Sequence, residues 1–441
     1  MLAHGTLRCT PCVHEGLSVP SADDHQARRA APIAALFPPG TRLLLANGYL
    51  ATVPLGFQMV VVPLYLARAG LDPAFIGLLF TVSGLVTSGL VAVSGVLADR
   101  FGRSRFLIAG TALPIPSYAI LALTTDPFWL VVAAALGGVG LANGAAGALT
   151  VASYDALLAE RTGDSQRTRV FASAQALWNL ALATGAAFAG LPQLLSAPGA
   201  APLTTYRPAF LAAVAVIVAA TILILPLREL HGTARERPDH WFPRASLRPI
   251  ATYSVAIGLL GFGLGVAVQL MPLWFNLRFG VTEADLAPWY SLAQLSSIAS
   301  VLLVPWLDGR FGASRSVLGM QLASGVLLAL IVATPTFAAA IPLFMLRSFL
   351  TNVSWPFQQS LLMGAVEPKE RASAAGIGFA VWGLANALGP GLAGMLLATG
   401  VLALPLLAGA IAYASAGIVF GIGFGRIRRV GAAEAPASLP G

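Results

Sequence analysis

The chain has 441 residues, of which 57% are hydrophobic and only 10% are charged. A soluble domain carries about 45–50% apolar and about 25% charged residues, so this composition, with a mean hydropathy of +0.79, excludes a soluble globular protein and a disordered chain. The net charge of +8 would favour a nucleic-acid partner if it were taken alone. The basic residues instead stand in short clusters between long apolar runs, which is typical of a membrane protein, and we expect no nucleic-acid partner.

Twelve apolar runs are long enough to cross a bilayer, because a membrane-spanning helix needs about 20 mostly apolar residues. The connections between most of these runs are very short, so little mass is left outside the membrane. The sequence therefore predicts an all-α membrane protein with twelve transmembrane helices. In chain order the predicted spans are 42–66, 73–98, 105–124, 127–153, 169–192, 207–227, 249–275, 286–307, 316–335, 338–363, 373–397 and 400–424.

The basic residues are distributed unevenly over the two sides of the membrane. If both termini are cytoplasmic, the cytoplasmic segments hold 22 of the 26 lysines and arginines, whereas the external loops hold only Arg68, Arg207 and Arg278. Cytoplasmic loops of membrane proteins carry this excess of positive charge. We therefore expect a multi-pass protein of the plasma (inner) membrane with both termini in the cytoplasm.

An internal repeat divides the chain into two sets of six spans. At a fixed offset of 204 residues Trp178 aligns with Trp382, and Arg167 aligns with Arg371. We interpret this as a duplicated six-helix unit, with chance similarity between Ala- and Gly-rich helices as the alternative. Cys9 and Cys12 form a lone CxxC without a second ligand pair, so we favour incidental cysteines in a disordered tail, with a zinc or redox site as the alternative. The predicted domains are a disordered cytoplasmic tail (1–40), a first half (41–227), a cytoplasmic linker (228–248), a second half (249–425) and a cytoplasmic tail (426–441).

The loop after the second span carries a family resemblance. Its sequence, Gly95-Val-Leu-Ala-Asp99-Arg100-Phe101-Gly102-Arg103-Ser-Arg105, resembles the motif G-x-L-A-D-R-x-G-R-[KR]-x-R of the major facilitator superfamily, and a degenerate copy follows span 8 at 308–315. The resemblance covers about residues 42–424. It implies a transporter whose two halves rock around a central site, and a charge latch that holds the outward-facing state. A tight turn whose arginines only fix the topology is the alternative. The latch candidates are Gly95, Asp99, Arg100, Gly102, Arg103, Asp308 and Arg310.

Polar side chains inside the spans are candidates for substrate contact, because polar groups in hydrocarbon usually face a cavity or a partner. Arg347 is the only formal charge well inside a span, at a depth that would let it bind an anionic or carbonyl-bearing substrate. A structural arginine that caps carbonyls or bridges helices is the alternative. Thr351, Ser354 and Gln358 share its helical face, with Trp355 beside them. The repeat places a corresponding polar stripe on span 4, formed by Asn143, Thr150 and Tyr154.

Other spans contribute further candidates for the same central site. For each asparagine or glutamine a hydrogen bond between helices is the alternative, and for each tryptophan the alternative is packing. These further candidates are Asn47, Gln58, Trp178, Asn179, Gln269, Tyr290, Gln294, Trp382 and Asn386.

The motifs of enzymes are absent from the sequence. It contains no P-loop, no dinucleotide fingerprint and no HExxH, so we expect neither enzymatic activity nor a cofactor nor a metal. The acidic residues lie in tails, loops or span ends, and Asp155 at the inner end of span 4 is among the nearest candidates for proton coupling. The coupling ion stays open, with a proton as one candidate.

These features predict a monomeric secondary active transporter that works within the lipid bilayer by alternating access. Export of a small organic molecule, either a drug-like compound or a metabolite, is the first hypothesis and rests on the family resemblance. Import or facilitated uptake of an organic anion or a sugar is the second hypothesis, with Arg347 favouring the anion. A membrane sensor of the same fold that transports nothing is the third.

Overall fold

The structure is a computed structural model that describes residues 37–162, 166–194, 201–227, 246–300 and 303–433. Within these ranges the chain forms helices joined by short turns, without a β-strand. The predicted tails and most of the predicted linker lie outside the described residues. The all-α fold predicted from the sequence is confirmed.

The helices before residue 228 begin with a pair of long ones, α1 and α2. Asp72 precedes α2 in an extended conformation, and its carboxylate accepts a hydrogen bond from the backbone N–H of Ala74 at 2.7 Å. Pro73 follows as the first helical residue, a position where proline loses no helical hydrogen bond. The bounds are α1 Pro39–Arg68, α2 Pro73–Phe101, α3 Arg103–Ala112, α4 Pro114–Leu123, α5 Pro127–Leu136, α6 Gly144–Glu160, α7 Arg167–Ala187, α8 Leu191–Leu194 and α9 Pro202–Ile224.

The helices after residue 245 repeat one turn of the first set. Gly102 joins α2 to α3 with φ of 107°, and Gly312 joins the corresponding pair, α13 and α14, with φ of 74°. Residues that carry a side chain rarely adopt these positive φ values, so glycine is favoured at both turns. The bounds are α10 Leu247–Ala267, α11 Met271–Phe279, α12 Glu283–Ser300, α13 Val304–Phe311, α14 Ala313–Ala333, α15 Phe337–Ala365, α16 Arg371–Ala398 and α17 Ala403–Ala433.

The described chain contains nine helices that are long and apolar enough to cross a membrane, or ten if α12 and α13, which meet at 61°, form one bent span. Two predicted spans fall outside this count. The run 169–192 forms α7, which is rich in polar residues, and the run 127–153 is divided between α5 and α6. The total of twelve spans therefore stays a prediction.

An interruption of the helical conformation at residues 137–143, here called the helix break, separates α5 from α6. Gly137 and Gly140 have φ of 145° and 68°, and Asn143 has φ of 61°, which makes it the single non-glycine residue of the described chain with a positive φ. These left-handed conformations end one helix before the next begins. The apolar run 127–153 is therefore divided into two helices at this point, and its crossing of the membrane stays a prediction.

The two sets of helices meet along a close contact between α2 and α16. A Cβ atom added to Gly394 would lie 2.9 Å from the Cα atom of Gly77, and one added to Gly84 would lie 2.6 Å from the Cβ atom of Ala387. Small residues allow helices in a membrane to approach until their backbones touch. The hydroxyl of Thr81 accepts a hydrogen bond from the backbone N–H of residue 391 at 2.8 Å, which adds a polar contact to the same seam.

Short connections join the ends of neighbouring helices in two layers. The first layer contains the α2–α3 turn, the α13–α14 turn and the start of α16, and we name it the Arg103 end. The second layer contains the α1–α2 turn, the start of α9 and the start of α12, and we name it the Glu283 end. The sequence predicts that the Arg103 end is cytoplasmic.

Candidate substrate site

A cavity of about 520 Å³ lies between the two sets of helices. Its wall is formed by α1, α2, α3, α4, α6, α7 and α9 from the first set and by α16 and the α10–α11 junction from the second set. Eight residues predicted from the sequence line this cavity. They are Asn47, Asn143, Thr150, Tyr154, Trp178, Gln269, Trp382 and Asn386.

The cavity is largely apolar, and Asp155 is the only charged side chain among the described residues that line it. Asp155 continues a stripe along α6 that contains Gly147, Thr150, Val151 and Tyr154. These residues follow the spacing of one helical face, so the signal for Asp155 was present in the sequence beside the predicted stripe. Other lining residues that the sequence interpretation missed are Tyr49, Thr52, Thr87 and Phe379.

Two amides from different helices meet at the wall of the cavity. Gln269, in the turn between α10 and α11, donates a hydrogen bond from Nε2 to Oδ1 of Asn386 on α16 at 3.1 Å. The Oε1 atom of Gln269 faces the helix break of the first set, 3.3 Å from the position that a Cβ atom on Gly140 would take. The glutamine therefore stands between the break and α16, where a bound molecule can contact elements of both sets.

Side chains of neighbouring helices satisfy the carbonyl groups that the break at 137–143 frees. Gln58 Nε2 donates to the carbonyl of Gly140 at 2.7 Å, and the hydroxyl of Ser83 donates to the carbonyl of Val139 at 2.7 Å. Thr87 donates to the carbonyl of residue 142 at 2.9 Å. Irregular backbone at membrane depth is tolerated only where it is satisfied in this way or lines a cavity. Gln58, predicted as a contact residue, does not line the cavity and instead donates a hydrogen bond to the backbone of the wall.

Several other predicted contacts are engaged in packing. Asn47 is 1% exposed and donates from Nδ2 to the carbonyl of Ala220 at 3.0 Å, so its amide joins α1 to α9 although the residue borders the cavity. Gln294 Nε2 lies 3.8 Å from the sulfur of Met59, away from the cavity wall. Two further predicted contacts, Asn179 and Tyr290, are also absent from the wall.

The polar stripe of α15 lies apart from the cavity, contrary to the sequence expectation. Arg347, Ser354 and Gln358 are at most 3% exposed, and none of them lines the cavity. Ser354 Oγ accepts hydrogen bonds from Gln358 Nε2 and Gln321 Nε2, both at 2.8 Å. Helical spacing shows that these residues share a face but not which neighbour covers that face, and here α14 covers it.

The other two members of the predicted α15 group are also outside the cavity wall. The hydroxyl of Thr351 donates to the carbonyl of Arg347, one turn earlier in the same helix, at 3.0 Å. Trp355 packs against Trp382, with ring centroids 6.0 Å apart, so it supports a lining residue from the side. The position of the α15 stripe therefore gives no support to direct substrate contact.

A buried polar cluster joins the two sets of helices at the Glu283 end. The side chain of Glu283 is fully buried, and its Oε2 lies 2.8 Å from Nη2 of Arg68, which is 31% exposed. Tyr206 and Gln193 each donate a hydrogen bond to the same carboxylate, and Arg68 Nη1 donates to the Tyr206 hydroxyl at 2.5 Å. Arg68, Gln193 and Tyr206 precede residue 228, whereas Glu283 follows residue 245. We name these four residues the outer cluster; the sequence interpretation did not identify it.

The predicted latch forms ion pairs only within the first set of helices. Arg103 Nε donates to Oδ1 of Asp99 at 2.7 Å, and the same guanidinium pairs with Glu160 at the end of α6. Arg100 lies over the ring of Phe101 with its guanidinium carbon 5.5 Å from the ring centre. The ion pair between Arg68 and Glu283, in contrast, joins the two sets. The pairs of the latch loop thus lie within the first set, whereas the Glu283 end is held between the sets.

The remaining latch candidates make few contacts. Arg310 lies over Phe311 with its guanidinium carbon 5.8 Å from the ring centre, as Arg100 does over its own neighbour, and Asp308 is exposed. A Cβ atom added to Gly95 would meet nothing within 4 Å, so this glycine does not mark a close approach of helices here.

The comparison with protein families decides the class of the protein. The family model described as Major Facilitator Superfamily matches residues 44–390. The chain belongs to the major facilitator superfamily. It is therefore a multi-pass membrane transporter of small molecules and not an enzyme, and the resemblance seen in the loop motif is confirmed.

Similar proteins and solved structures agree with the family. The chain is 26% identical over 307 residues to Multidrug resistance protein 2 of Bacillus subtilis (strain 168), which spans 66% of this chain and 71% of the relative. It is 32% identical over 105 residues to Multidrug resistance protein MdtH of Yersinia enterocolitica, spanning 23% of this chain and 25% of the relative. Among solved structures, the nucleoside transporter NupG (D323A mutant) has a TM-score of 0.68 at 14% identity and covers 88% of this chain and 99% of its own.

A second solved structure supports the same fold. A bacterial homologue of the iron transporter ferroportin in an inward-facing state has a TM-score of 0.69 at 14% identity, with 89% of this chain and 99% of that chain covered. At this identity the likeness concerns the fold alone.

Proposed function

We propose that this protein is a secondary active transporter that exports a small organic molecule across the plasma membrane by alternating access. The observation that carries the proposal is the cavity of about 520 Å³ between the two sets of helices. Its volume lies within the range of about 300–1,000 Å³ that is usual for sites of drug-sized ligands. The names of the multidrug-resistance relatives favour export over uptake.

The lining indicates the chemistry of the exported molecule. Apolar and small side chains surround a few amides, including Gln269 and Asn386, and Asp155 supplies the one negative charge among the described lining residues. A lipophilic molecule that is neutral or carries a single positive charge suits this wall, because the apolar surface leaves water and the carboxylate attracts the cation. An organic anion would be repelled by Asp155, and the guanidinium of Arg347 lies elsewhere.

The arrangement of ion pairs supports one direction of opening. The outer cluster ties α1 and α9 to α12, so the Glu283 end is closed between the two sets. With the Arg103 end in the cytoplasm, this arrangement corresponds to an inward-facing state. In the opposite state Arg68 and Glu283 separate, the Arg103 end closes, and the loop around Asp99 is free to form latch contacts with the second set. A coupling proton would compete with a cationic substrate at Asp155.

An efflux assay with two probes tests this proposal. Cells that express the protein are loaded with ethidium, a lipophilic monocation, or with Nile red, a neutral lipophilic dye, and the energised loss of fluorescence is followed. Wild-type protein should speed the loss of at least one dye, and Asp155→Asn should slow that of ethidium by about tenfold, or about 1.4 kcal/mol, while sparing Nile red. Glu367→Gln, which removes an exposed carboxylate at the same end, is the matched control.

Two results would contradict the proposal. Efflux of both dyes at the rate of cells without the protein, together with no binding of either dye to purified protein, would exclude this class of substrate. Energised accumulation instead of loss would show an importer. The topology is tested separately by a reporter at the C-terminus that is active only outside the cytoplasm, since activity of that reporter would reverse the assignment of the two ends.

A further inference from the structure

A second buried polar cluster lies inside the helices that follow residue 245, away from the cavity. Arg347 on α15, Tyr413 on α17 and Tyr290 on α12 are 3%, 1% and 4% exposed. Arg347 Nη1 donates to the Tyr413 hydroxyl at 3.4 Å, and its guanidinium carbon lies 5.8 Å from the centre of that ring. The ring of Tyr290 packs against Phe344, one turn before Arg347, with centroids 5.0 Å apart. We name Arg347, Tyr290 and Tyr413 the Arg347 cluster.

The members of the Arg347 cluster lie at nearly the same depth in the membrane. Arg347 and Tyr413 are each ten residues from the terminus of their helix at the Glu283 end. Tyr290 is seven residues from the corresponding terminus of α12. At 1.5 Å per residue these positions are about 10–15 Å deep, close to the middle of a hydrocarbon core of about 30 Å. A charge at this depth is costly unless it is paired.

Two polar atoms of the cluster are not satisfied by the described chain. Arg347 Nε and Tyr290 OH are buried and find no hydrogen-bond partner among the residues that the structure describes. The ion pairs found among those residues also do not include Arg347. An isolated buried cation is strongly disfavoured, and unused hydrogen-bond donors add to the penalty. These groups therefore call for a partner that carries a negative charge and accepts several hydrogen bonds.

We propose that the Arg347 cluster binds one small monovalent anion of the size of chloride. The guanidinium supplies the balancing charge, Arg347 Nε and the hydroxyl of Tyr290 donate to the anion, and the contacts with Tyr413 hold the guanidinium in position. Helices α12, α15 and α17 contribute the cluster, and none of its residues lines the cavity. The site is independent of the identity of the exported molecule.

Binding of radioactive chloride to the purified full chain in lipid nanodiscs tests the site. The ionic strength is held constant with gluconate, an anion much larger than chloride. Wild-type protein should bind about one chloride per chain in a saturable manner, and Arg347→Gln should abolish this binding. Tyr290→Phe removes one donor while keeping the ring that packs on Phe344, so it should weaken binding by about 3- to 10-fold. Tyr253→Phe is the matched control, since Tyr253 is a buried tyrosine of the same set of helices that packs against Phe420.

A second readout keeps the test decisive if Arg347→Gln does not fold. Chloride in place of gluconate should raise the Tm of the wild-type protein with increasing chloride concentration, because a ligand stabilises the state that binds it. Tyr290→Phe should need more chloride for the same rise, and Tyr253→Phe should behave as the wild type. A wild-type protein without saturable chloride binding would overturn the proposal. Wild-type affinity in Tyr290→Phe, or binding that persists in folded Arg347→Gln protein, would also overturn it.

Discussion

Glu283→Gln is expected to shift the protein towards the state that is open at the Glu283 end. The carboxylate is fully buried and accepts hydrogen bonds from Arg68, Tyr206 and Gln193, three residues of the other set of helices. A hydrogen bond to a charged group contributes about 1.5–3 kcal/mol. Because Arg68 is 31% exposed and partly screened by solvent, the lower figure applies, and about 1.5 kcal/mol corresponds to a change of about tenfold in the ratio of the two states.

The ratio of states can be measured as a distance distribution between two spin labels at the Glu283 end. Thr204 on α9 and Ala338 on α15 are exposed positions on the two sets of helices, and Cys9 and Cys12 are first replaced by serine. Glu283→Gln should raise the long-distance population about tenfold relative to the short one.

The controls separate loss of the pair from loss of charge. Arg207→Gln removes an exposed positive charge at the same end and should change nothing. Combining Arg68→Gln with Glu283→Gln should add little to the single substitution, because both remove the same interaction. An unchanged distribution in Glu283→Gln, or an equal shift in Arg207→Gln, would refute the reasoning.

Three further substitutions test other parts of the structure. Asn143→Val should lower the free energy of unfolding by about 1–2 kcal/mol, because a β-branched residue fits a φ of 61° poorly, whereas Asn143→Gly should be tolerated; thermal unfolding distinguishes them. Gly394→Val should slow transport strongly while the protein is expressed at the normal level, because the valine side chain would collide with Gly77 on α2. Efflux at the wild-type rate would show that transport does not require the close contact between α2 and α16. Arg103→Ala should slow efflux while leaving expression and dye binding nearly intact, as expected for a contact that biases the two states; wild-type efflux at all dye concentrations would leave the pair with Glu160 only a structural role.

The helices were predictable because the length of an apolar run is a local property of the sequence. The stripe of Thr150 and Tyr154 was also placed correctly on the cavity wall, since three or four residues of one helix suffice to define its polar face. The break at 137–143 had a local signal as well, in the sequence Gly137-Gly138-Val139-Gly140. The surrounding apolar residues concealed it, because hydropathy measures transfer into lipid and carries no information on φ.

The errors concern contacts between elements that are distant in the chain. Arg347 shares a polar face with Ser354, but periodicity cannot show that α14 and α17 cover this face in place of the cavity. The outer cluster was missed for the same reason, because in the sequence Arg68 and Glu283 are each simply a charged residue at the end of a span, next to a loop. Only the packing of α1 against α12 brings these two charges to 2.8 Å.

The hydrogen bonds that hold the backbone of the helix break in place have a consequence for how the substrate range of this transporter can evolve. Tyr118 donates to Gln58 Oε1 at 2.6 Å, and Gln58 in turn donates to the carbonyl of Gly140, so the position of Asn143 on the wall depends on side chains that do not line the cavity. Directed evolution for a new substrate range should therefore recover substitutions at Gln58, Ser83 and Tyr118 as well as at the wall itself. Such variants would reshape the cavity by moving its backbone, and their effects should extend to chemically unrelated compounds.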